Sequence, residues 1–168
     1  NIGTAEAPEM DIVNITNQYP DSPYTVETAG QNMPTFSDLD YDGDMDLYIT
    51  VLGGAYGFQT INNFYHFENV GDSEFPLYVE ITRNFLNSID FYDKISPEFV
   101  DIDNDGDLDL IIGNSFETNS FPWNGRLKFL KNIGTNLFPI YEIIDEAFLG
   151  SLIGKELTPT LVDIDNDG

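Results

Sequence analysis

The sequence predicts an all-β protein assembled from repeated four-stranded antiparallel units. Three observations carry that expectation. A set of short motifs recurs at an interval of 63 residues. The stretches between motifs are runs of strand length, rich in Ile, Leu, Phe, Tyr and Val. No segment sustains the apolar period of about 3.6 residues that marks a helix.

The repeat is written in three motifs that keep step. Pro34-Thr35-Phe36-Ser37-Asp38 returns as Pro97-Glu98-Phe99-Val100-Asp101 and again as Pro159-Thr160-Leu161-Val162-Asp163. Asn69-Val70-Gly71 with Phe75-Pro76 returns as Asn132-Ile133-Gly134 with Phe138-Pro139, and Asn1-Ile2-Gly3 with Pro8 is the same element. Asp38 to Leu47 matches Asp101 to Leu110, and the first six residues of that decapeptide reappear at Asp163 to Gly168. From Pro34 to Ser88 the offset to the next copy stays at 63 without a gap; one deletion then makes Pro97 to Pro159 an offset of 62.

Within each unit four strands are expected in order. The first contains Phe36 or Phe99 and enters an Asp-rich turn. The second leaves it as Leu47 to Leu52, or Leu108 to Ile112. The third, Phe64 to Phe67 or Leu127 to Leu130, ends at the Asn-x-Gly turn. The fourth follows the Pro as Leu77 to Ile81, or Ile140 to Ile144. Four antiparallel strands in about 60 residues match the size of one β-propeller blade. The expected organisation is a last strand and connection in 1–33, a blade in 34–96, a blade in 97–158, and the first strand of another in 159–168. About two and a half blades cannot close a ring of typically 4–8, so the expectation is an excerpt of a longer polypeptide.

Composition narrows the function classes. The chain has 168 residues, 41% of them apolar and 14% aromatic, enough for a sizeable core and unlike an acidic disordered tail. Thirty acids against six bases leave a formal charge of −24, which disfavours nucleic acid and anionic membrane surfaces as partners. With no Cys, disulfides, thiolate metal sites and a cysteine nucleophile are excluded; one His excludes a poly-His metal site. The longest apolar candidate, Leu47 to Phe58, is Gly-broken and short of the ~20 residues that span a bilayer, so no direct membrane insertion is expected.

The Asp-rich turns have the chemistry of calcium loops. Asp38, Asp40 and Asp42 alternate, so their carboxylates can converge; Gly43 at position six permits the bend; Asp44 offers its carbonyl; Asp46 at position nine closes the shell. Asp101, Asp103, Asp105, Asp107 and Asp109 repeat this around Gly106. Hard oxygens in an alternating acidic cage suit Ca²⁺ above transition metals. Position twelve is Ile49 or Ile112 where an EF-hand has Glu, and strands flank the loop, so this is a β-hairpin loop. A third, partial loop has Asp163, Asp165 and Asp167. These loops hold 13 of the 30 acids, and two bound ions would bring the charge from −24 to −20. Weak sites of the ~10⁻⁴–10⁻³ M kind fill outside the cell, which predicts an extracellular or cell-surface home.

The motif Asp-x-Asp-x-Asp-Gly-x-x-Asp-Leu inside a four-stranded repeat of this length resembles the FG-GAP/VCBS family, over essentially the whole chain. The resemblance implies a β-propeller related to integrin α heads, with Ca²⁺ held by the Asp side chains at positions one, three, five and nine and the position-seven carbonyl. Lacking Cys, the chain looks more like secreted bacterial members than metazoan receptors. The family includes adhesins, lectin-like modules, toxin components and non-catalytic parts of secreted enzymes.

Alternating strand direction places the calcium and Asn-x-Gly turns on one face, and the copy-variable connections on the other. Tyr56 and Phe58 in one copy, and Phe121, Trp123 and Arg126 in the next, are therefore ligand candidates, because aromatic and Arg contacts anchor interfaces and sugar faces. Blade packing is the competing role for Trp123, as it is for Tyr78 and Tyr141; His66 reads as a packed or surface residue. The expected function is a calcium-binding, non-catalytic propeller region that binds a protein or glycan at a surface beside the remaining blades of its polypeptide. The alternative is an accessory propeller of a secreted hydrolase or lyase, or part of a surface assembly or secretion substrate.

Overall fold

The computed structural model describes residues 32–51, 63–86, 94–115, 121, 124–150 and 154–162. These residues are all-β, with two four-stranded antiparallel sheets and no helix. The first sheet contains β1 (Met33–Ser37), β2 (Asp46–Thr50), β3 (Phe64–Asn69) and β4 (Tyr78–Thr82), in that spatial order. The second contains β5 (Ser96–Val100), β6 (Asp109–Gly113), β7 (Leu127–Asn132) and β8 (Tyr141–Phe148), ordered in the same way. Neither sheet closes on itself among the described residues.

The sequence repeat is a structural repeat down to register. Phe36 pairs with Leu47 as Phe99 pairs with Leu110, and Asn69 pairs with Tyr78 as Asn132 pairs with Tyr141. A bulge between His66 and Phe67 recurs between Phe129 and Leu130. β8 outruns the expected end at Ile144: a second irregularity, between Leu127 and Phe129, lets it pair on to Phe148. Most of 1–33, and the acidic half of 159–168, lie outside the described residues.

The central strands are buried on both faces, and the two faces have different destinations. Tyr48 and Phe64 point from the first sheet into a core completed by Leu110, Ile112 and Leu130 of the second. Leu47, Ile49, Tyr65 and Phe67 point the other way, into a separate buried cluster. Leu110 is the repeat-equivalent of Leu47, and Ile111 that of Tyr48. The second sheet therefore offers its Leu110 face to the Tyr48 face of the first. This front-to-back stacking uses two different surfaces of one repeating unit.

Phe85, in the turn after β4, joins the sheets. Its ring lies 5.1 Å from Tyr48, 6.1 Å from Phe99 and 5.8 Å from Tyr141, centroid to centroid. Offset and edge-to-face pairs of this kind add about 0.5–1.5 kcal/mol each beyond area burial.

The Asn-x-Gly turn closes on itself around one side chain. Asn132 Oδ1 accepts the N–H groups of Gly134 (3.0 Å) and Ile140 (3.1 Å), as Asn69 Oδ1 accepts those of Gly71 (3.1 Å) and Leu77 (2.9 Å). Glycine is required for space: a Cβ on Gly134 would lie 2.3 Å from the Phe138 carbonyl oxygen and 2.8 Å from the Ile140 nitrogen. Both obstacles are backbone. Gly134→Ala is expected to cost about 1–3 kcal/mol by overpacking, read as a lower urea midpoint; an unchanged midpoint would show that the turn can open freely.

Candidate metal centre

Each acidic loop spans the hairpin between the first and second strands of its sheet, and the two loops fold alike. Tyr41 and Asn104 take left-handed backbone at φ 58° and 57°, and Gly43 and Gly106 follow at 100° and 94°. The first Asp of each loop fastens the turn. Asp38 Oδ1 accepts the Asp42 N–H (3.1 Å) and Oδ2 that of Gly43 (3.2 Å). Asp101 does the same for Asp105 (3.0 Å) and Gly106 (2.9 Å). Asp42 Oδ1 then accepts the Asp44 N–H, and Asp105 Oδ1 that of Asp107, both at 3.1 Å.

The last Asp of each loop braces it to the neighbouring turn. Asp46 Oδ1 accepts the backbone N–H of Asn69 at 2.9 Å, and Asp109 Oδ1 that of Asn132 at 2.8 Å. The Tyr78 hydroxyl donates to the Met45 carbonyl (3.3 Å) and the Tyr141 hydroxyl to the Leu108 carbonyl (3.2 Å). The acidic turn and the Asn-x-Gly turn thus share one end of each sheet and form one bonded unit.

This scaffold brings the carboxylate oxygens of Asp38, Asp40 and Asp42 within 4.8 Å of one another, and likewise those of Asp101, Asp103 and Asp109. Either group could hold a metal ion. The donors are hard oxygens only, which fits Ca²⁺ and fits zinc or copper poorly. Asp44 Oδ1 is buried without a hydrogen-bond partner, so the first loop also contains an unsatisfied acceptor.

The loops differ in how their charge is met. In the first, burial raises the Asp40 carboxyl above its ordinary value, and Asp42, Asp46 and Asp38 raise it further. Burial raises Asp44 as well, with Asp42 and Asp46 adding to it. In the second loop the Lys131 ammonium sits on Asp103 and, at 2.9 Å, on Asp105. That contact holds Asp105 below the usual carboxylate range and Lys131 above the usual range for an amine. Glu68 occupies the position equivalent to Lys131, so the first loop has no cation of its own there.

The raised value of Asp40 gives a prediction whose sign depends on calcium. A carboxyl raised in the folded state costs stability when ionised, fully above its folded value and not at all below its unfolded one. In EDTA at pH 7, Asp40→Asn is expected to raise the thermal midpoint, with the gain shrinking as pH falls to the ordinary carboxylate range. In Ca²⁺ the same change removes a ligand and is expected to lower the midpoint. The same sign in both media would contradict the metal assignment.

Not every residue singled out from the sequence enters these clusters. Asp44, Asp46, Asp105 and Asp107 stand outside the two triads, serving as backbone partners, brace or ion-pair acceptor. Asp163, Asp165 and Asp167 lie outside the described residues, as do Tyr56, Phe58 and Trp123. Phe121 is 94% exposed. Arg126 is half-buried; its backbone N–H bonds Asn114 Oδ1 at 2.8 Å, and its Nε is buried without a partner. Sequence reasoning missed Lys131 and the bracing role of Asn69 and Asn132. The constant spacing from each Asp to its Asn, 23 residues in both copies, was the available signal for the brace.

No family model, curated protein or solved structure matches the chain.

Proposed function

We propose that the chain is a calcium-stabilised, non-catalytic stretch of a β-propeller, of the FG-GAP/VCBS kind, in a secreted or cell-surface protein that binds a protein or glycan. The observation carrying this reading is the pair of acidic loops, which repeat the left-handed backbone at the same two positions and the same fastening of the turn by the first Asp. Front-to-back packing supports the propeller part: a unit whose front fits the back of the next can be added again in the same sense. The blade boundaries at 34–96 and 97–158 belong to this proposal.

Calcium would be held by Asp38, Asp40 and Asp42, and by Asp101, Asp103 and Asp109. The bound ion supplies positive charge that relieves repulsion among these acids, and so stiffens a hairpin whose far end is fixed by Asp46 or Asp109. Metal binding of this sort couples to folding and takes the place of disulfides in a chain without Cys.

Titration calorimetry tests the reading. At least two calcium ions are expected, Asp38→Asn removing the tighter and Asp101→Asn the weaker. The second loop binds less tightly because Lys131 must first leave, and Lys131→Met should tighten it about two- to fivefold, the worth of an exposed ion pair. Absence of calcium heat in the wild type would defeat the proposal. Glycan and partner screens comparing wild type with Trp123→Ala test the ligand-binding half.

A further inference from the structure

A cavity of about 580 Å³ opens between the two sheets, beside the first acidic loop. Its acidic lining is Asp40, Asp46 and Glu68; Tyr48, His66 and Phe85 form an aromatic wall, and Phe138 reaches in from the second unit. No Lys or Arg is among its described lining residues. The Tyr48 ring is stacked on His66 at 4.6 Å and 5°. His66 Nε2 faces Asp46 Oδ2 at 3.5 Å. Tyr48 is fully buried, and its hydroxyl, close to Asp46, makes no well-formed hydrogen bond. A buried hydroxyl bonded so poorly is costly.

The internal repeat shows what is special here. Tyr48, His66 and Glu68 correspond to Ile111, Phe129 and Lys131 in the second unit. The backbone is shared, yet all three polar side chains belong to the first unit only. The second unit also differs in charge beside its loop. There the Lys131 ammonium rests on Asp103 and Asp105, the counterparts of Asp40 and Asp42. In the first unit Glu68 replaces that lysine, adding an anion where the copy has a cation.

We propose that this cavity binds an alkylammonium group supplied from outside the chain, its charge set against Glu68 and Asp46 and its stem along the Tyr48, Phe85 and Phe138 rings. Carboxylates and the faces of aromatic rings both attract such a cation, and an apolar stem gains from the wall. The Tyr48 hydroxyl then gains an N–H partner. This goes beyond the calcium reading and needs no ion in the loop, because Glu68, Tyr48 and Phe138 are not loop ligands.

The test is calorimetric titration of the full chain in saturating Ca²⁺, which neutralises the loop acids if they bind it. Pentylammonium is expected to bind about tenfold or more tighter than pentanol of the same length. Glu68→Lys, which copies the second unit, is expected to weaken pentylammonium about tenfold or more, and Tyr48→Phe to weaken it while the thermal midpoint stays high. Nα-acetyl-lysine amide separates the sources: tighter binding than pentylammonium points to a protein lysine, weaker binding to a free amine. Equal binding of pentanol and pentylammonium, no binding of either, or undiminished binding to Glu68→Lys would each overturn the proposal. Calcium titrations of the same variants after EDTA treatment and its removal judge the metal reading separately.

Discussion

In about 10 mM Ca²⁺ the chain is expected to unfold roughly 10–20 °C above its midpoint in excess EDTA. Ligand that binds only the folded state adds about 2.7 kcal/mol per site at one hundred times Kd. Two sites of the ~10⁻⁴ M class therefore add about 5 kcal/mol. For a chain of 168 residues each kcal/mol moves the midpoint by about 2–4 °C. The effect rests on Asp38, Asp40 and Asp42, whose oxygens converge, and on the second triad of Asp101, Asp103 and Asp109. Asp42→Ala should remove about half of the calcium-dependent rise, whereas the exposed Asp145→Ala should leave it intact. Coincident midpoints in Ca²⁺ and EDTA would mean that the loops are acidic turns held by their own hydrogen bonds.

Asp109→Ala is expected to cost about 2–4 kcal/mol in EDTA, where only the brace is lost, and more in Ca²⁺, where a ligand is lost with it. Asp109 is fully buried, and its two oxygens accept the N–H groups of Asn132 at 2.8 Å and Ile102 at 3.4 Å. Truncation leaves the buried Asn132 N–H with nothing to bond and takes the partner of the more exposed Ile102 N–H. Burial raises the Asp109 carboxyl, and those two N–H groups pull it back down. Urea unfolding in both media separates a brace from a ligand. A loss that appears only with calcium present would make Asp109 a metal ligand with no structural part of its own.

The strands were legible because each copy checks the other. A run such as Leu108 to Ile112 is ambiguous alone, but its match to Leu47 to Leu52 at the same distance from an Asp-Gly turn makes it a strand twice over. The structure places β6 at Asp109–Gly113, one residue along. The acidic loops were legible for the same reason, since alternating Asp around Gly is a local pattern that needs no distant contact. Lys131 was not legible as a loop cation: it lies 28 and 26 residues from Asp103 and Asp105, and only hairpin geometry brings it there. Phe85 sits in a turn outside every strand, so no periodicity marks it as the ring that joins two sheets.

By itself the sequence determined the repeat length, the four-strand unit, the antiparallel order and the residues able to present oxygen to an ion. All of these depend on spacing along the chain, which composition and register encode directly. Only the tertiary structure decided which face of one sheet meets which face of the next, that Asp46 and Asp109 bind the neighbouring turn, and that Tyr48, His66 and Glu68 border one cavity. Those outcomes depend on side chains from separate strands meeting across a few ångströms. The physical reason is that the twofold alternation of a strand sorts residues onto two faces but leaves open what each face will cover.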